Sequence, residues 1–232
     1  MMKTDIFGEA LQDYFEKRFQ SSLILHNSYG ADEEMPLDIF FRDPEDFPEL
    51  EFIALALCDG KVLDVGAGAG SHTLYLQEKG FDVTALELSP QACHIMKKRG
   101  VKKVLNCNIF NYVGGKYDTL LFLMNGIGLA ENIEGLKKLL VQCKKLLKKG
   151  GQLIFDSSNV AYLYEEDLLR PDHYYGEVTF QYEYKEEQGT QFGWLYIDQE
   201  SLIKIAQQSG WVVQILYEDE NDQYLTRLSL KH

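Results

Sequence analysis

The segment Val62-Leu-Asp-Val-Gly-Ala-Gly-Ala-Gly70 constrains this chain more than any other stretch. Residues 62–65 have the composition of a short strand. Glycines follow at alternate positions, and residues 70–79 are helix-like until Gly80 stops them. Strand, glycine turn, helix is an arrangement that lets a ligand approach the backbone closely. Glycine takes the φ > 0 turns and carries no Cβ to hold the ligand away. The pattern therefore predicts a nucleotide-type site at the end of a strand.

The remaining periodicity sets the frame around that site. Strands are expected over 62–65, 82–88, 103–107, 117–124 and 152–156, with helices between them; Ser89 and Pro90 mark one helix start. Residues 131–149 give the clearest helix, with Ile133, Leu136, Leu139, Leu140, Cys143, Leu146 and Leu147 on one stripe. Six lysines lie between 137 and 149, bunched toward its end. Five strands alternating with helices imply an α/β, doubly wound, Rossmann-like sheet. After residue 160 the rhythm changes. Residues 177–185 alternate strictly, with Val178, Phe180, Tyr182 and Tyr184 on one face. A polar turn at 186–190 follows, then Phe192, Trp194 and Tyr196 share a face: an inserted antiparallel β-hairpin after the fifth strand. Asp198 caps a last helix, and two terminal strands complete a seven-stranded sheet whose last strand is antiparallel.

The organisation expected is a single domain over 1–232: a helical N-terminal cap at 1–57, a cofactor-binding core at 58–160, the hairpin at 174–197, and a terminal helix and hairpin at 198–232. The cap reading rests on Ile6, Ala10, Leu11, Tyr14, Phe15 and Phe19 at helical spacing.

Charge narrows the partners. With 23 basic and 36 acidic residues the net charge is −13, which repels polyphosphate, so nucleic acid is excluded as a partner. Nine carboxylates and one arginine, Arg42, lie between Asp32 and Glu51. That stretch reads as a solvated acidic face or as a surface for a cation. Four cysteines without Cys-x-x-Cys spacing read as small buried hydrophobes, and the histidines show no metal-binding pattern, so no metal is expected. The first nine residues lack the apolar core of a signal peptide and no apolar run reaches membrane length, so the expectation is a cytoplasmic protein with no membrane partner.

Two nucleotide classes compete for the glycine turn. A dinucleotide wants Gly-x-Gly-x-x-Gly with its pyrophosphate on the helix N-terminus, but the sixth position here is Ser71. Asp64, two residues before Gly66, would repel a pyrophosphate and suits an ammonium group, such as that of S-adenosylmethionine. Glu87, 21 residues after Gly66, can accept ribose hydroxyls in either class. Asn108 offers both a donor and an acceptor to an adenine edge.

With these residues in place, the chain resembles the class I S-adenosylmethionine-dependent methyltransferases. Residues 63–70 look like their first motif and 83–90 like their second. Residues 117–126 are similar to their fourth-strand motif, and 146–155 to the segment entering strand five. The resemblance implies S-adenosyl-L-methionine as cofactor. It implies that Asp64, Gly66, Ala67, Gly68 and Gly70 hold the methionine half, that Glu87 holds the ribose, and that Leu88, Asn108 and Ile109 surround the adenine. Asn108 stands where the family usually has aspartate. Asn125-Gly-Ile-Gly128 departs from the Asn-Pro-Pro-Tyr of DNA amino-methyltransferases, which points to a small-molecule acceptor.

Methyl transfer from a sulfonium needs alignment and dryness first, and a base only when the acceptor arrives protonated. No catalytic residue is therefore fixed by the motifs. Asn125, Asp156 and Ser157 end strands where such sites lie. Tyr182, Trp194 and Tyr196 could enclose an acceptor, or pack on the domain or on a second copy in a homodimer. His173 is a candidate base or a surface histidine, and Arg42 a partner for the cofactor carboxylate or for a buried acid. Two rival functions remain: a non-catalytic S-adenosylmethionine-binding module and an NAD(P)-dependent oxidoreductase.

Overall fold

The computed structural model describes residues 5–18, 21–164 and 170–231. In chain order the elements are α1 (Ile6–Phe15), β1 (Leu23–Asn27), β2 (Glu33–Met35), α2 (Glu49–Ala56), β3 (Lys61–Val65), α3 (Ser71–Glu78), β4 (Asp82–Glu87), α4 (Pro90–Arg99) and β5 (Val104–Asn106). They continue with β6 (Tyr117–Phe122), α5 (Ile133–Leu146), β7 (Leu147–Ser158), β8 (Glu177–Tyr184), β9 (Glu187–Gln188), β10 (Phe192–Leu195), α6 (Gln199–Gln208), β11 (Trp211–Glu218) and β12 (Gln223–Leu230). Phe19 of the expected N-terminal helix lies outside the described residues.

The main sheet has seven strands in the order β11-β12-β7-β6-β3-β4-β5. Strands β5, β4, β3, β6 and β7 are mutually parallel, and β12 runs antiparallel to β7 and β11. Side chains alternate between two packed faces, as the near-continuous apolar run of β6 requires. Leu120 and Phe122 face α5 and α6 with Leu139, Leu140 and Leu202. Leu121 faces α2 and α3 with Ala54 and Leu76. Each helix is also set locally: Ser89, Asn132 and Asp198 cap α4, α5 and α6 by accepting from Ala92, Gly135 and Ser201 N–H groups.

Several expectations change. Residues 131–149 are not one helix: α5 starts at Ile133 because Glu131 takes φ 68°, and it ends at Leu146. Leu147 already pairs with Tyr117, so the fifth parallel strand is longer than 152–156 and absorbs a register shift opposite Tyr117/Thr119. The turn after β8 is Lys185-Glu186, both at positive φ, not 186–190.

The largest change concerns the first 57 residues, which are not a helical cap alone. β1 and β2 enter a second sheet in the order β10-β8-β1-β2, with β9 paired to β8. The expected hairpin is thus half of a sheet whose other half comes from the N-terminal segment. Leu25 pairs with Tyr182 and Asn27 with Phe180. Residues 23–27 carry no strand signal of their own, because Leu-Ile-Leu-His-Asn does not alternate; the partner strand supplies the register.

Candidate active site

The second sheet roofs the ends of β3, β4 and β6. Tyr182 stacks on Phe7 of α1 at 5.5 Å between ring centroids, and its hydroxyl senses the charge of Glu87. Trp194 packs over Gly128, where an added Cβ would collide with its Nε1. Neither side chain is free to swing without moving the sheet.

Beneath the roof, the glycine loop turns through three left-handed residues: Gly66 at φ 73°, Gly68 at 55° and Gly70 at 89°. They do different work. Gly66 is exposed and Ala67 half-buried, whereas Gly68 and Gly70 are buried under Phe40 and against Met96 and Val101. The start of α3 is covered as well. Ser71 Oγ donates to Phe40 O at 3.0 Å, and Arg99 Nη1 donates to Ala69 O at 2.7 Å. The open part of the loop is its first half.

Glu87 is the loop's anchor. Its Oε2 accepts from Gly68 N at 2.9 Å and its Oε1 from Leu88 N and Ser89 N at 2.7 and 2.9 Å. Burial pushes this carboxyl up, and the three N–H donors oppose that push. Leu88 next to it is 63% exposed, an apolar surface in place for a ring to cover. Asn106, which the sequence did not mark, donates to the Glu87 and Leu88 carbonyls and ties β5 to this corner.

Other sequence candidates divide between the alternatives open to them: Arg42 joins a buried acid and His173 lies on the surface, as one reading of each had it. Asp64 is buried and accepts from Thr73 Oγ1 at 2.5 Å; burial raises its carboxyl, and His72 and Thr73 pull it back. Arg42 pairs with Glu51 at 2.7 Å rather than facing the glycine loop, and His72 Nε2 meets the other Glu51 oxygen at 2.7 Å. Asn108 spends its Oδ1 on Phe110 N, capping a tight turn. Ile109 is a core residue at 5% exposure. His173 is an exposed loop residue whose Nε2 lies 3.2 Å from Glu177 O.

The Arg42–Glu51–His72 cluster has a pH signature. Burial works to raise Glu51, but His72 and Arg42 outweigh it and hold the carboxyl below its ordinary 4.5. A depressed carboxyl stabilises the fold above its unfolded value and loses that contribution as pH falls through its folded value. Glu51→Gln should therefore cost about 2 kcal/mol at pH 7. In urea unfolding the deficit should close as pH falls below 4.5 and through the lower folded value; a deficit unchanged at low pH would refute the assignment.

Asn125 and Asp156 form the floor on the other side of the loop. Asn125 N donates to Asp156 Oδ2 at 2.8 Å, and Gln223 Nε2 donates to the same oxygen at 3.0 Å. Asp156 Oδ1 is buried with no hydrogen-bond partner among the described residues, and the buried amide of Asn125 lies against the Tyr196 hydroxyl. Burial pushes the Asp156 carboxyl up to about 6. A cleft of about 370 Å³ is lined by Tyr29, Glu33, Tyr162, Tyr196, Asp219 and Gln223 among others, and Gln223 is the donor to Asp156. The sequence singled out only Tyr196 of these six. The others come from three separate segments with no spacing to link them.

Comparison with known proteins bears on this geometry. A family model described as a methyltransferase domain matches residues 41–215. The crystal structure of an S-adenosylmethionine-dependent methyltransferase from Bacteroides fragilis, in complex with S-adenosyl-L-homocysteine, is 37% identical. It aligns over 97% of this chain and 94% of that one, with a TM-score of 0.90. The CcbJ methyltransferase of Streptomyces caelestis shares the fold at 13% identity, 98% coverage of both chains and a TM-score of 0.66. A glycine/sarcosine/dimethylglycine N-methyltransferase from Actinopolyspora halophila is 28% identical over 123 residues, 49% of this chain; the match spans only 22% of that protein.

Proposed function

Since this chain belongs to the S-adenosylmethionine-dependent methyltransferases, as the family match and the Bacteroides fragilis relative show, we propose that it methylates a small molecule bound between the two sheets. When bound, S-adenosylmethionine supplies a methyl group already activated by its sulfonium. The chain's task is then to hold, align and keep dry.

The residues fit that cofactor. Gly66 and Ala67 present open backbone at the end of β3, and a Cβ on Gly66 would meet only Leu129, at 3.3 Å. The exposed Leu88 offers an apolar bed for the nucleoside base. Glu87 keeps acceptor capacity on Oε2 for a ribose hydroxyl, since that oxygen receives one N–H against two on Oε1. Asp64, bonded to Thr73 and buried, acts in this reading by shaping the loop rather than by touching the ligand. Asn108 retains its amide N–H₂ for the adenine edge.

The observation that carries the reading is the division of the loop into an open first half and a closed second half. A pyrophosphate would need the start of α3, which is covered by Phe40 bonded to Ser71 and by Arg99 bonded to Ala69, while Gly70 packs on Met96 and Val101. The Actinopolyspora halophila relative is by its name an N-methyltransferase of glycine, sarcosine and dimethylglycine, which supports an acceptor of that scale. Calorimetric titration tests the proposal: S-adenosylmethionine and S-adenosylhomocysteine should bind, and NAD should give no heat. Binding of NAD alone would sink it.

A further inference from the structure

A buried carboxylate oxygen at one spot asks for a ligand. Asp156 Oδ1 has no hydrogen-bond partner among the described residues, and the buried amide of Asn125 beside it has only the Tyr196 hydroxyl as a polar side-chain neighbour. Leaving such an oxygen unpaired in the interior is costly. The backbone is strained at the same place. Met124 and Asn125 are consecutive non-glycine residues at φ 58° and 57°, and such conformations persist where a site needs them.

The surroundings say what the ligand carries. Two residues that line the neighbouring cleft also touch this spot: Gln223 donates to Asp156, and Tyr196 hydrogen-bonds Asn125. Three tyrosines contribute aromatic faces, and Glu33 and Asp219 contribute carboxylates. No lysine, arginine or histidine lines the cleft among the described residues. A carboxylate or phosphate acceptor would be repelled from such a site. A cation would gain from both the rings and the acids. On the opposite side, Leu129 of the turn that follows Asn125 reaches to within contact of Gly66. The turn that begins at Asn125 thus touches both the open glycines, through Leu129, and a residue of the acidic cleft, Tyr196.

We propose that the methyl acceptor is a protonated organic amine, held by the tyrosine-lined acidic cleft and by Asn125, with Asp156 taking its proton. The inference rests on the methyltransferase reading and specifies its substrate class. The ammonium passes one proton to Asp156 Oδ1, which frees the nitrogen lone pair. The N–CH₃ bond then forms as the methyl–sulfur bond breaks, and that electron pair remains on sulfur. The product is a methylated ammonium ion, and Asp156 returns its proton to solvent.

A carboxyl raised to about 6 by burial is ionised at neutral pH and basic enough for this. Alkylammonium groups titrate near the lysine value of about 10.4, a far smaller gap than an alcohol would present. The titratable groups facing Asp156 are Glu51, Tyr196 and Tyr224. Glu51 is held low by His72 and Arg42 despite its burial. Burial pushes Tyr196 up to about 12 and Tyr224 higher still, so none of the three changes charge between pH 7 and 10.

The experiment supplies the protein with S-adenosylmethionine carrying a ¹³C methyl group and a bacterial small-molecule extract. The labelled products are read by NMR. In parallel, metabolites retained by the protein loaded with S-adenosylhomocysteine are identified by mass spectrometry. Label on nitrogen, and retention of amines that is abolished by acetylating the extract, is the expected result. Label on oxygen, sulfur or carbon, or no labelled amine at all, overturns the proposal. Failure of S-adenosylhomocysteine to bind in calorimetry would instead overturn the methyltransferase reading itself.

Asp156→Asn supplies the second arm, since it keeps an oxygen for Asn125 and Gln223. Its affinity for S-adenosylhomocysteine should stay within about threefold, while N-methylation falls about 100-fold at pH 7. That deficit should shrink toward pH 10, where the amine loses its proton to solvent. A deficit constant across pH, with binding intact, would remove Asp156 from proton transfer and overturn its role.

Discussion

Glu87→Ala should weaken S-adenosylhomocysteine binding by about 100-fold or more, the largest single loss expected from one side chain here. The carboxylate receives three backbone N–H groups, from Gly68, Leu88 and Ser89. Alanine leaves those donors without their acceptor in a buried corner, at roughly 1–3 kcal/mol for each that cannot find water. The Gly68 bond matters most for binding, because it pins the glycine loop to the end of β4. Without it the open half of the loop loses its fixed shape, and about 2.7 kcal/mol of that cost corresponds to the 100-fold loss. Glu87→Gln should fall between, since one amide oxygen can serve two donors while its N–H₂ opposes the third. Calorimetry and thermal unfolding on the parent protein and the two variants check the series. An affinity unchanged by Glu87→Ala would mean that the loop holds its form without this anchor.

The largest stability loss should come from Gly70→Ala, about 3 kcal/mol in urea unfolding. Two costs combine there. The backbone sits at φ 89°, and a Cβ would lie 2.9 Å from Met96 Cγ and 3.1 Å from Val101 Cγ2. Gly100 provides the internal control: its φ is 98°, and a Cβ on it would meet nothing within 4 Å. Gly100→Ala carries the backbone strain alone and should cost about 1 kcal/mol. The difference between the two measures how tightly the end of the glycine loop is packed on α4. Identical losses would show that the contact with Met96 yields freely.

These two residues also mark what could be read from the chain beforehand. Gly66-x-Gly68-x-Gly70 and Glu87 are close in sequence and joined by one βαβ unit, so their spacing carries their geometry. The apolar runs of β3, β4 and β6 announced a buried parallel sheet for the same reason: each strand's neighbours on both faces are helices that leave their own periodic trace. Other residues gave no such trace. Arg42 lies on irregular chain nine residues before Glu51 in the first turn of α2, and their ion pair depends on how α2 docks. Asp64 looked free to meet an ammonium because Thr73, nine residues on, showed no sign of capturing it. Asn108 seemed to end a strand, yet β5 closes at Asn106 and Asn108 caps the turn beyond it. The acceptor side was the least legible part. Tyr29 and Glu33 come from the N-terminal segment, Asp219 and Gln223 from the last hairpin, and their meeting is a product of tertiary packing alone.

The second sheet has a kinetic consequence. β1 pairs with β8 in the register Ile24–Glu183 to Asn27–Phe180, so this seam closes across more than 150 residues of intervening chain. The seven-stranded sheet assembles mostly from neighbouring βαβ units, whose contacts are far shorter in sequence. Long-range pairings pay their loop-closure entropy before they are rewarded, and they form late. Refolding should then pass through a stage with the nucleotide half built and the roof still open. The same seam should be the first to exchange its amide hydrogens in the native protein.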